Sequence, residues 1–180
     1  VLSQLHALAP PPGVRVVDFA VQARLLETAL PADAVRPLLA ACAGEVLSRL
    51  GPAHAHALCH HDVHEQNLVT DSAGRLWLVD WEYAGLGDPV FDLASSASQL
   101  ELSAAGVGLL CDEYVRAGGT VQLARLELAR WAFDYVQWLW YRGLLATAAG
   151  PDAVEAALRA GRIERGLQTR ASGVLRCNNH

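Results

Sequence analysis

The sequence contains no lysine and no methionine, and each absence restricts what the chain can be. All 14 of its basic residues are arginine. Arginine can bind a phosphate through its planar guanidinium, but it does not replace a lysine that a site uses as a point charge. Because methionine is absent, we do not expect Val1 to be the first residue of a natural reading frame.

Long apolar runs, closely spaced cysteines and excess positive charge are missing as well. No uncharged apolar run approaches the ~20 residues of a membrane helix, and we find no signal-peptide pattern. The four cysteines form no CxxC pair and are expected to be buried thiols. A formal net charge of −5 argues against nucleic acid or an acidic membrane as a partner. We therefore expect a cytoplasmic protein.

Apolar periodicity and proline or glycine breaks divide the chain into helices around one small hairpin. Helices are predicted over residues 1–9, 19–30, 33–50, 89–100, 103–116, 121–148 and 152–170. A short strand is predicted over 57–59. The stretch "NLVTDSAGRLWLVDW" predicts a hairpin with strands 68–70 and 75–79 around a turn at 71–74. The predicted fold class is therefore α+β and mostly helical.

Three polar side chains flank the outer ends of this hairpin. Asp62 and Asn67 lie on the loop that leads into its first strand, and Asp80 follows its second. Because a two-stranded hairpin brings its outer ends together, we expect the three side chains to converge. Oxygen atoms of Asp80 and Asn67 suit Mg²⁺, which keeps part of its shell for water and substrate phosphates. Asp62 would then accept a proton from an incoming hydroxyl.

The segments "HHDVHEQN" and "LVDWEYAGLGDPVFDLA" resemble the catalytic half of the aminoglycoside phosphotransferase and choline kinase superfamily, relatives of the protein kinases. The family pattern His-x-Asp-x-x-x-x-Asn matches His60, Asp62 and Asn67. Val-Asp-Trp-Glu at 79–82 occupies the position that protein kinases fill with Asp-Phe-Gly. The match is close over residues 57–95, and the residues of the two motifs are most similar to those of the choline and thiamine kinase branches.

The resemblance implies a phosphotransferase that uses ATP and Mg²⁺ and acts on the hydroxyl of a small molecule. Asp62 would be the catalytic base or would orient the hydroxyl, while Asn67 and Asp80 would hold Mg²⁺. Four residues would brace the loop: His60, His64, Asp88 and Asp92.

The resemblance also implies a domain organisation. Residues 1–180 would form the C-terminal lobe of a protein-kinase-like fold, with the small hairpin carrying the catalytic loop. A kinase of this kind needs an N-terminal lobe with a lysine on a strand, and the chain has no lysine. We therefore expect the nucleotide-clamping N-terminal lobe to be absent from this chain, and the isolated chain to turn over little substrate or none.

Charge and aromatic residues bear on the substrate. Ten acids and a single arginine lie between residues 62 and 113, which favours a cationic acceptor such as choline, thiamine, ethanolamine or an aminoglycoside. Glu82 is either a substrate contact or a surface acid. An aromatic stripe with a neighbouring acid in the helix at 130–143 is either core or, by the resemblance, a cage for the cation. Its members are Trp131, Asp134, Tyr135 and Trp138.

Two other functions stay open at this point. The histidines between residues 54 and 64, together with Cys59, are typical ligands for zinc and could belong to a zinc or di-metal hydrolase. Alternatively, the chain could be a pseudokinase lobe that only binds a partner or ligand.

Overall fold

The computed structural model describes residues 1–52 and 56–176. Within these ranges the α-helices are α1 (Leu2–His6), α2 (Phe19–Ala29), α3 (Pro37–Leu50), α4 (Val90–Gln99), α5 (Ala104–Arg116), α6 (Leu123–Leu145) and α7 (Gly150–Arg176). The strands are β1 (Ala57–Cys59), β2 (Leu68–Thr70), β3 (Leu76–Leu78) and β4 (Gly85–Gly87). The predicted class, α+β and mostly helical, is confirmed.

Helix boundaries differ from the predictions where local chemistry sets them. Helix α3 begins at Pro37 and not at 33, because proline favours the first turn of a helix, where its missing N–H is not needed. The preceding residues form a turn in which the Ala34 N–H donates to the Pro31 carbonyl at 2.8 Å. Helix α7 continues six residues beyond the predicted end at 170, to Arg176.

The chain divides into two compact units. Unit 1 comprises Val1–Val17 and Pro52–Arg130, and unit 2 comprises Asp18–Gly51 and Trp131–His180. Unit 1 contains all four strands, together with α1, α4 and α5. Unit 2 contains α2, α3 and α7, and α6 is divided between the two units.

Two antiparallel strand pairs organise unit 1. The predicted hairpin is present, with Leu68 opposite Leu78 in the β2–β3 pair. Its turn is closed by the Asp71 carboxylate, which accepts the backbone N–H groups of Ala73 and Arg75 at 2.9 Å each. The second pair joins β1 to β4 and was not predicted. The sequence of β4, Gly-Leu-Gly, lacks the β-branched and aromatic residues that indicate a strand.

A small apolar cluster ties helix α1 to the hairpin and to the loop between β1 and β2. Leu5, Val63 and Leu78 are its buried members. A five-residue helix is not stable alone in water, because its few hydrogen bonds do not offset the free-energy cost of nucleation. Burial of Leu5 in this cluster therefore holds α1 in place.

The core of unit 2 is built from α3, α6 and α7. Leu39 and Val46 of α3 and Leu167 of α7 are each at most 1% exposed. Within the described residues, no helix combines the length and the apolar character needed to cross a bilayer.

Strand β4 makes a close contact that requires glycine. A Cβ atom at position 87 would lie 2.4 Å from Cε1 of the buried His61 ring. We expect Gly87→Ala to lower the free energy of unfolding by about 1–3 kcal/mol, a typical cost of overpacking. Gly108→Ala in α5 is the matched control, because a Cβ there meets no atom within 4 Å and alanine favours helix. Thermal melts that rank Gly87→Ala equal to or above Gly108→Ala would contradict this packing.

Candidate active site

The loop of residues 60–67, called here the 60–67 loop, is anchored to α4 by two side chains. The Asp92 carboxylate accepts the His60 backbone N–H at 2.8 Å through Oδ2 and the His61 N–H at 2.7 Å through Oδ1. The Ser95 hydroxyl accepts the Val63 N–H at 3.0 Å and donates to the Val63 carbonyl at 3.1 Å. These contacts fix the first half of the loop to the start of one helix.

A third donor to Asp92 comes from helix α1. His6 Nε2 lies 3.0 Å from Asp92 Oδ2, and His6 Nδ1 lies 2.7 Å from the Tyr114 hydroxyl. Burial raises the pKa of Tyr114 to about 12, so its hydroxyl keeps a proton to donate to Nδ1 and Nε2–H points at Asp92. Burial opposes ionisation of Asp92, but the His6 hydrogen bond, the charge on His61 and the His60 N–H together outweigh it. The pKa of Asp92 is therefore below its ordinary value.

His60 connects the 60–67 loop to the segment that follows β3. Its ring is fully buried, and Nε2 donates to the Val79 carbonyl at 2.9 Å. Nδ1 accepts the Asp62 N–H at 3.3 Å, so the hydrogen-bond partners assign the ring proton to Nε2. The ring also meets Trp81 edge to face, with centroids 4.9 Å apart.

Asp62 is oriented by two neighbours of its own loop. Its Oδ2 lies 3.2 Å from Asn67 Nδ2 and 3.3 Å from His64 Nε2. Asn67 Nδ2 also donates to the Asp62 carbonyl at 2.9 Å. His64 accepts the Gln66 N–H through Nδ1, which leaves its Nε2 proton for Asp62. With 26% of its side chain exposed, Asp62 is held by donors on one oxygen and still reaches solvent.

Asp80 lies at the same end of the hairpin as Asn67. The Val79 N–H donates to the Asn67 carbonyl at 3.0 Å, and Asp80 is the next residue. Its φ of 65° is left-handed, a conformation that aspartate tolerates better than most residues. Within residues 1–52 and 56–176, the Asp80 carboxylate makes no hydrogen bond or ion pair.

The donor set at this end of the hairpin fits a hard divalent cation. Asn67 uses its amide nitrogen towards Asp62, so its amide oxygen remains available as a ligand. Asp80 supplies carboxylate oxygens that the described protein does not use. Oxygen ligands of this kind, few in number and beside open solvent, suit Mg²⁺ better than Zn²⁺.

The turn 81–84 follows Asp80 and exposes an acid and a phenol. The Ala84 N–H donates to the Trp81 carbonyl at 3.0 Å, which closes the turn. Tyr83 is 47% exposed, and Glu82 is exposed beside it. Partial burial, the charges of Glu82 and Asp62 and a hydrogen bond to Glu82 raise the pKa of Tyr83. The phenol therefore shares one electrostatic environment with these carboxylates.

Asp88 holds the start of α4. Its Oδ1 accepts the Val90 N–H at 3.1 Å, and its Oδ2 pairs with Arg125 of α6. Both side chains of this pair are about nine-tenths buried. Asp88 thus acts on the helix that carries Asp92.

Three residues of this framework were not predicted from the sequence: His6, Ser95 and Tyr114. His6 and Asp92 are separated by 86 positions, and no motif or periodicity links them. Ser95 follows Asp92 by one helical turn, so the helix periodicity alone indicated that both lie on one face.

Histidine ligands for zinc do not come together in the part of the chain that the structure describes. His54 lies outside the described residues. The cluster with suitable ligand atoms is His6, Cys59 and Asp92, whose atoms lie within 4.8 Å of one another. His6 and Asp92 already bind each other and protein donors, and burial strongly raises the pKa of the Cys59 thiol. In this structure these groups form a buried cluster that is held together by hydrogen bonds.

The aromatic stripe of α6 lies in the core of unit 2. Trp131, Tyr135 and Trp138 are each at most 1% exposed, and their rings stack with centroids 5.6 and 5.8 Å apart. Asp134 pairs with Arg170 of α7. The polar atoms of the three rings bond within the unit, to Leu167, Glu27 and Glu164. Of the two interpretations of the stripe, core and cation cage, the burial favours core because no ring face is open to a ligand.

Comparison with curated proteins finds short but clear similarities. The protein LicA of Haemophilus influenzae is 32% identical over 89 residues, which cover 46% of this chain and 33% of that protein. The thiamine kinase of Salmonella paratyphi B is 58% identical over 36 residues, or 20% of this chain and 13% of the kinase. The chain thus matches a third or less of the length of these curated relatives.

Comparison with solved structures extends the similarity to nearly the whole chain. The choline kinase LicA of Streptococcus pneumoniae superposes with a TM-score of 0.73 at 21% identity, over 93% of this chain and 60% of that one. A structure of LicA in complex with AMP superposes with a TM-score of 0.72 at 20% identity. At this identity the superposition shows the fold, which is the one that the resemblance predicted.

The model of one protein family matches residues 1–131 of the 180. The matched range includes α1, both strand pairs, the 60–67 loop and α4. The predicted relationship is thus confirmed, and the chain belongs to the phosphotransferase enzyme family known as APH.

Proposed function

We propose that the protein carrying this chain transfers the γ-phosphoryl group of ATP to the hydroxyl of a small cationic molecule. Choline, thiamine, ethanolamine and aminoglycosides are the acceptors to test. In this proposal residues 1–180 supply the acceptor side of the site, as a C-terminal lobe. The observation that carries it is the contact of Asp62 with Asn67 and His64, at the hairpin end where Asp80 follows.

Asp62 is the proposed catalytic base. One hydrogen bond from Asn67 and the contact with His64 engage Oδ2, so Oδ1 is the oxygen that we assign to an incoming hydroxyl. As the alcohol oxygen forms its bond to the γ-phosphorus, the hydroxyl proton passes to Asp62. The bond between the γ-phosphorus and the bridging oxygen breaks, and ADP leaves with that oxygen.

Asn67 and Asp80 are the proposed ligands of Mg²⁺. When bound, Mg²⁺ neutralises charge on the β- and γ-phosphate oxygens of the nucleotide. Asn67 also donates to Asp62, so one side chain orients both the base and the cation ligand set. His60 fixes the base relative to the ligand Asp80. Its Nδ1 accepts the Asp62 N–H, and its Nε2 donates to the carbonyl of Val79, the residue before Asp80.

The charge around the site supports a cationic acceptor. Besides partial burial, the charges of Glu82, Asp62 and Asp80 each raise the pKa of Tyr83, so three carboxylates lie near one exposed phenol. A phenol ring beside carboxylates favours a positively charged group, by charge and by cation–π attraction. We propose Glu82 and Tyr83 as contacts of the acceptor. The burial of Trp131, Tyr135 and Trp138 leaves those residues out of this proposal.

A second lobe that clamps the nucleotide belongs to the proposal. The chain spans 60% of the length of the choline kinase structure that it matches, and it has no lysine to pair with phosphates. We therefore propose that ATP binding needs protein beyond residues 1–180. An ATP-dependent reaction and four cysteines without a CxxC pair also fit a cytoplasmic location.

Removal of the base is the first test. In the complete gene product assayed with Mg-ATP and the four acceptors, we expect Asp62→Asn to lower kcat by about 10²–10⁴-fold, the usual contribution of a general base. Asp71→Asn is the matched control, since Asp71 is an acid of the same hairpin whose side chain bonds only its turn and the following residues Arg75 and Trp77. Wild-type rates in Asp62→Asn would refute the assignment. Nucleotide binding without turnover in the wild type would instead indicate a pseudokinase.

Removal of the metal ligand charge is the second test. Asp80→Asn keeps the size of the side chain but removes its charge, so Mg²⁺ should bind more weakly. We expect the Mg²⁺ concentration for half-maximal rate to rise about 10- to 100-fold, a range seen when groups that support a metal are changed. The measurement is a Mg²⁺ titration of the phosphotransfer rate at fixed ATP, again with Asp71→Asn as control. An unchanged titration curve would remove Asp80 from the ligand set.

A further inference from the structure

The segment before α2 runs along the edge of β4. The Val17 N–H donates to the Leu86 carbonyl at 2.7 Å, and the Leu86 N–H donates to the Arg15 carbonyl at 2.8 Å. The two backbones approach closely at Gly85, where a Cβ atom would lie 2.9 Å from the Arg15 carbonyl oxygen and 2.7 Å from Val17 Cγ2. Residues 15–17 therefore form an extended segment that is hydrogen-bonded along the free edge of β4 in the β1–β4 pair.

The Arg15 side chain reaches from this segment to the turn 81–84. Its Nη2 donates to the Glu82 carbonyl at 2.8 Å, and its Nε donates to the Ala84 carbonyl at 3.1 Å. A guanidinium presents its donors in a rigid planar fork, so two carbonyls bound at once are fixed relative to each other. Hydrogen bonds from a charged donor are also stronger than neutral ones.

The other end of the same turn is held by aromatic contacts. Trp81 Nε1 donates to the Leu78 carbonyl at 3.1 Å, and its ring meets His60 edge to face. The backbone of the turn is thus fixed from the hairpin side and from the Arg15 side. The side chains of Glu82 and Tyr83 remain exposed on it, with Asp62 near enough to influence the Tyr83 phenol.

We propose that Arg15 is a positioning residue, which fixes the turn 81–84 so that Glu82 and Tyr83 present a preformed contact to the cationic acceptor. The Arg15 side chain binds only backbone carbonyls of the turn in the contacts described above. Its loss should therefore weaken acceptor binding and leave the chemical step at Asp62 nearly unchanged. This inference rests on the proposed function, because it concerns the acceptor side of that site.

The kinetic test compares Arg15→Gln and Arg15→Lys with Arg24→Gln in the complete gene product. The acceptor used is whichever of choline, thiamine, ethanolamine and an aminoglycoside gives the wild type its highest kcat/KM. For Arg15→Gln we expect the acceptor KM to rise about tenfold, the effect of losing one or two ordinary hydrogen bonds. The kcat and the KM for Mg-ATP should change less than about twofold, as expected when binding alone is lost.

The two other variants separate geometry from charge. Arg15→Lys keeps the charge but cannot donate to both carbonyls as a fork, so its acceptor KM should lie between those of the wild type and Arg15→Gln. Arg24 is an exposed arginine whose Nε donates to the Ala20 carbonyl of its own helix. Arg24→Gln removes the same charge elsewhere and should leave the acceptor KM at the wild-type value.

Hydrogen exchange provides a second readout. The amides of Ala84 and Leu86 are both bonded in this region, to Trp81 and to Arg15. We expect Arg15→Gln to speed exchange at Ala84, while the Val63 amide, bonded to Ser95, exchanges as in the wild type. Faster exchange at Ala84 together with the KM effect supports the proposal.

Three results would overturn the inference. An unchanged acceptor KM in Arg15→Gln, with an active wild type, refutes the role of Arg15 while the proposed function stands. An equal loss of kcat and kcat/KM shows that Arg15 acts on the chemical step and not on acceptor binding. A wild type that phosphorylates none of the four acceptors refutes the proposed function, and the acceptor role of Arg15 falls with it.

Discussion

The site depends on one buried carboxylate. Asp92 is fully buried and accepts hydrogen bonds from the backbone of His60, the backbone of His61 and the ring of His6. A buried charge is costly unless donors surround it, so the three donors and the carboxylate are stable only together. The position of the acid in the first turn of α4 adds the favourable field of the helix N-terminus. The hydrogen bonds between Asp92 and the backbone of His60 and His61 fix the path of the 60–67 loop.

A series of hydrogen bonds extends from Asp92 and fixes the positions of the exposed groups. His60 binds the Val79 carbonyl, and the Val79 N–H binds the Asn67 carbonyl, so the loop and the hairpin end are joined twice. Asn67 then binds Asp62. Each hydrogen bond fixes the position of the next residue in this series. The Asp62 carboxylate, at its end, remains partly exposed to solvent. The catalysis proposed above requires an arrangement of this kind, in which a buried framework holds an exposed carboxylate.

The hairpin and the polar residues at its open end were predictable because their signals are local. Two short runs of mostly apolar residues flank an Asp-Ser-Ala-Gly turn, and Asn67 and Asp80 lie at the outer ends of these runs in sequence. Strand β4 and the contact of Arg15 with the turn 81–84 were not predictable. Gly-Leu-Gly carries no strand signal, and Arg15 meets Glu82 across 67 positions of chain. The same limit applied to the aromatic stripe of α6, since periodicity predicts a face and does not say what covers it.

The sequence by itself determined the class of fold, the family and the motif residues, because helical periodicity, turn chemistry and short motifs are properties of neighbouring residues. Only the tertiary structure decided which distant groups hold those residues. It joined His6 to Asp92, placed Arg15 against the turn 81–84, and buried Trp131 and Trp138 in the core of unit 2. Such contacts form when the chain buries apolar surface and must satisfy each buried polar group, and that requirement involves the whole fold at once.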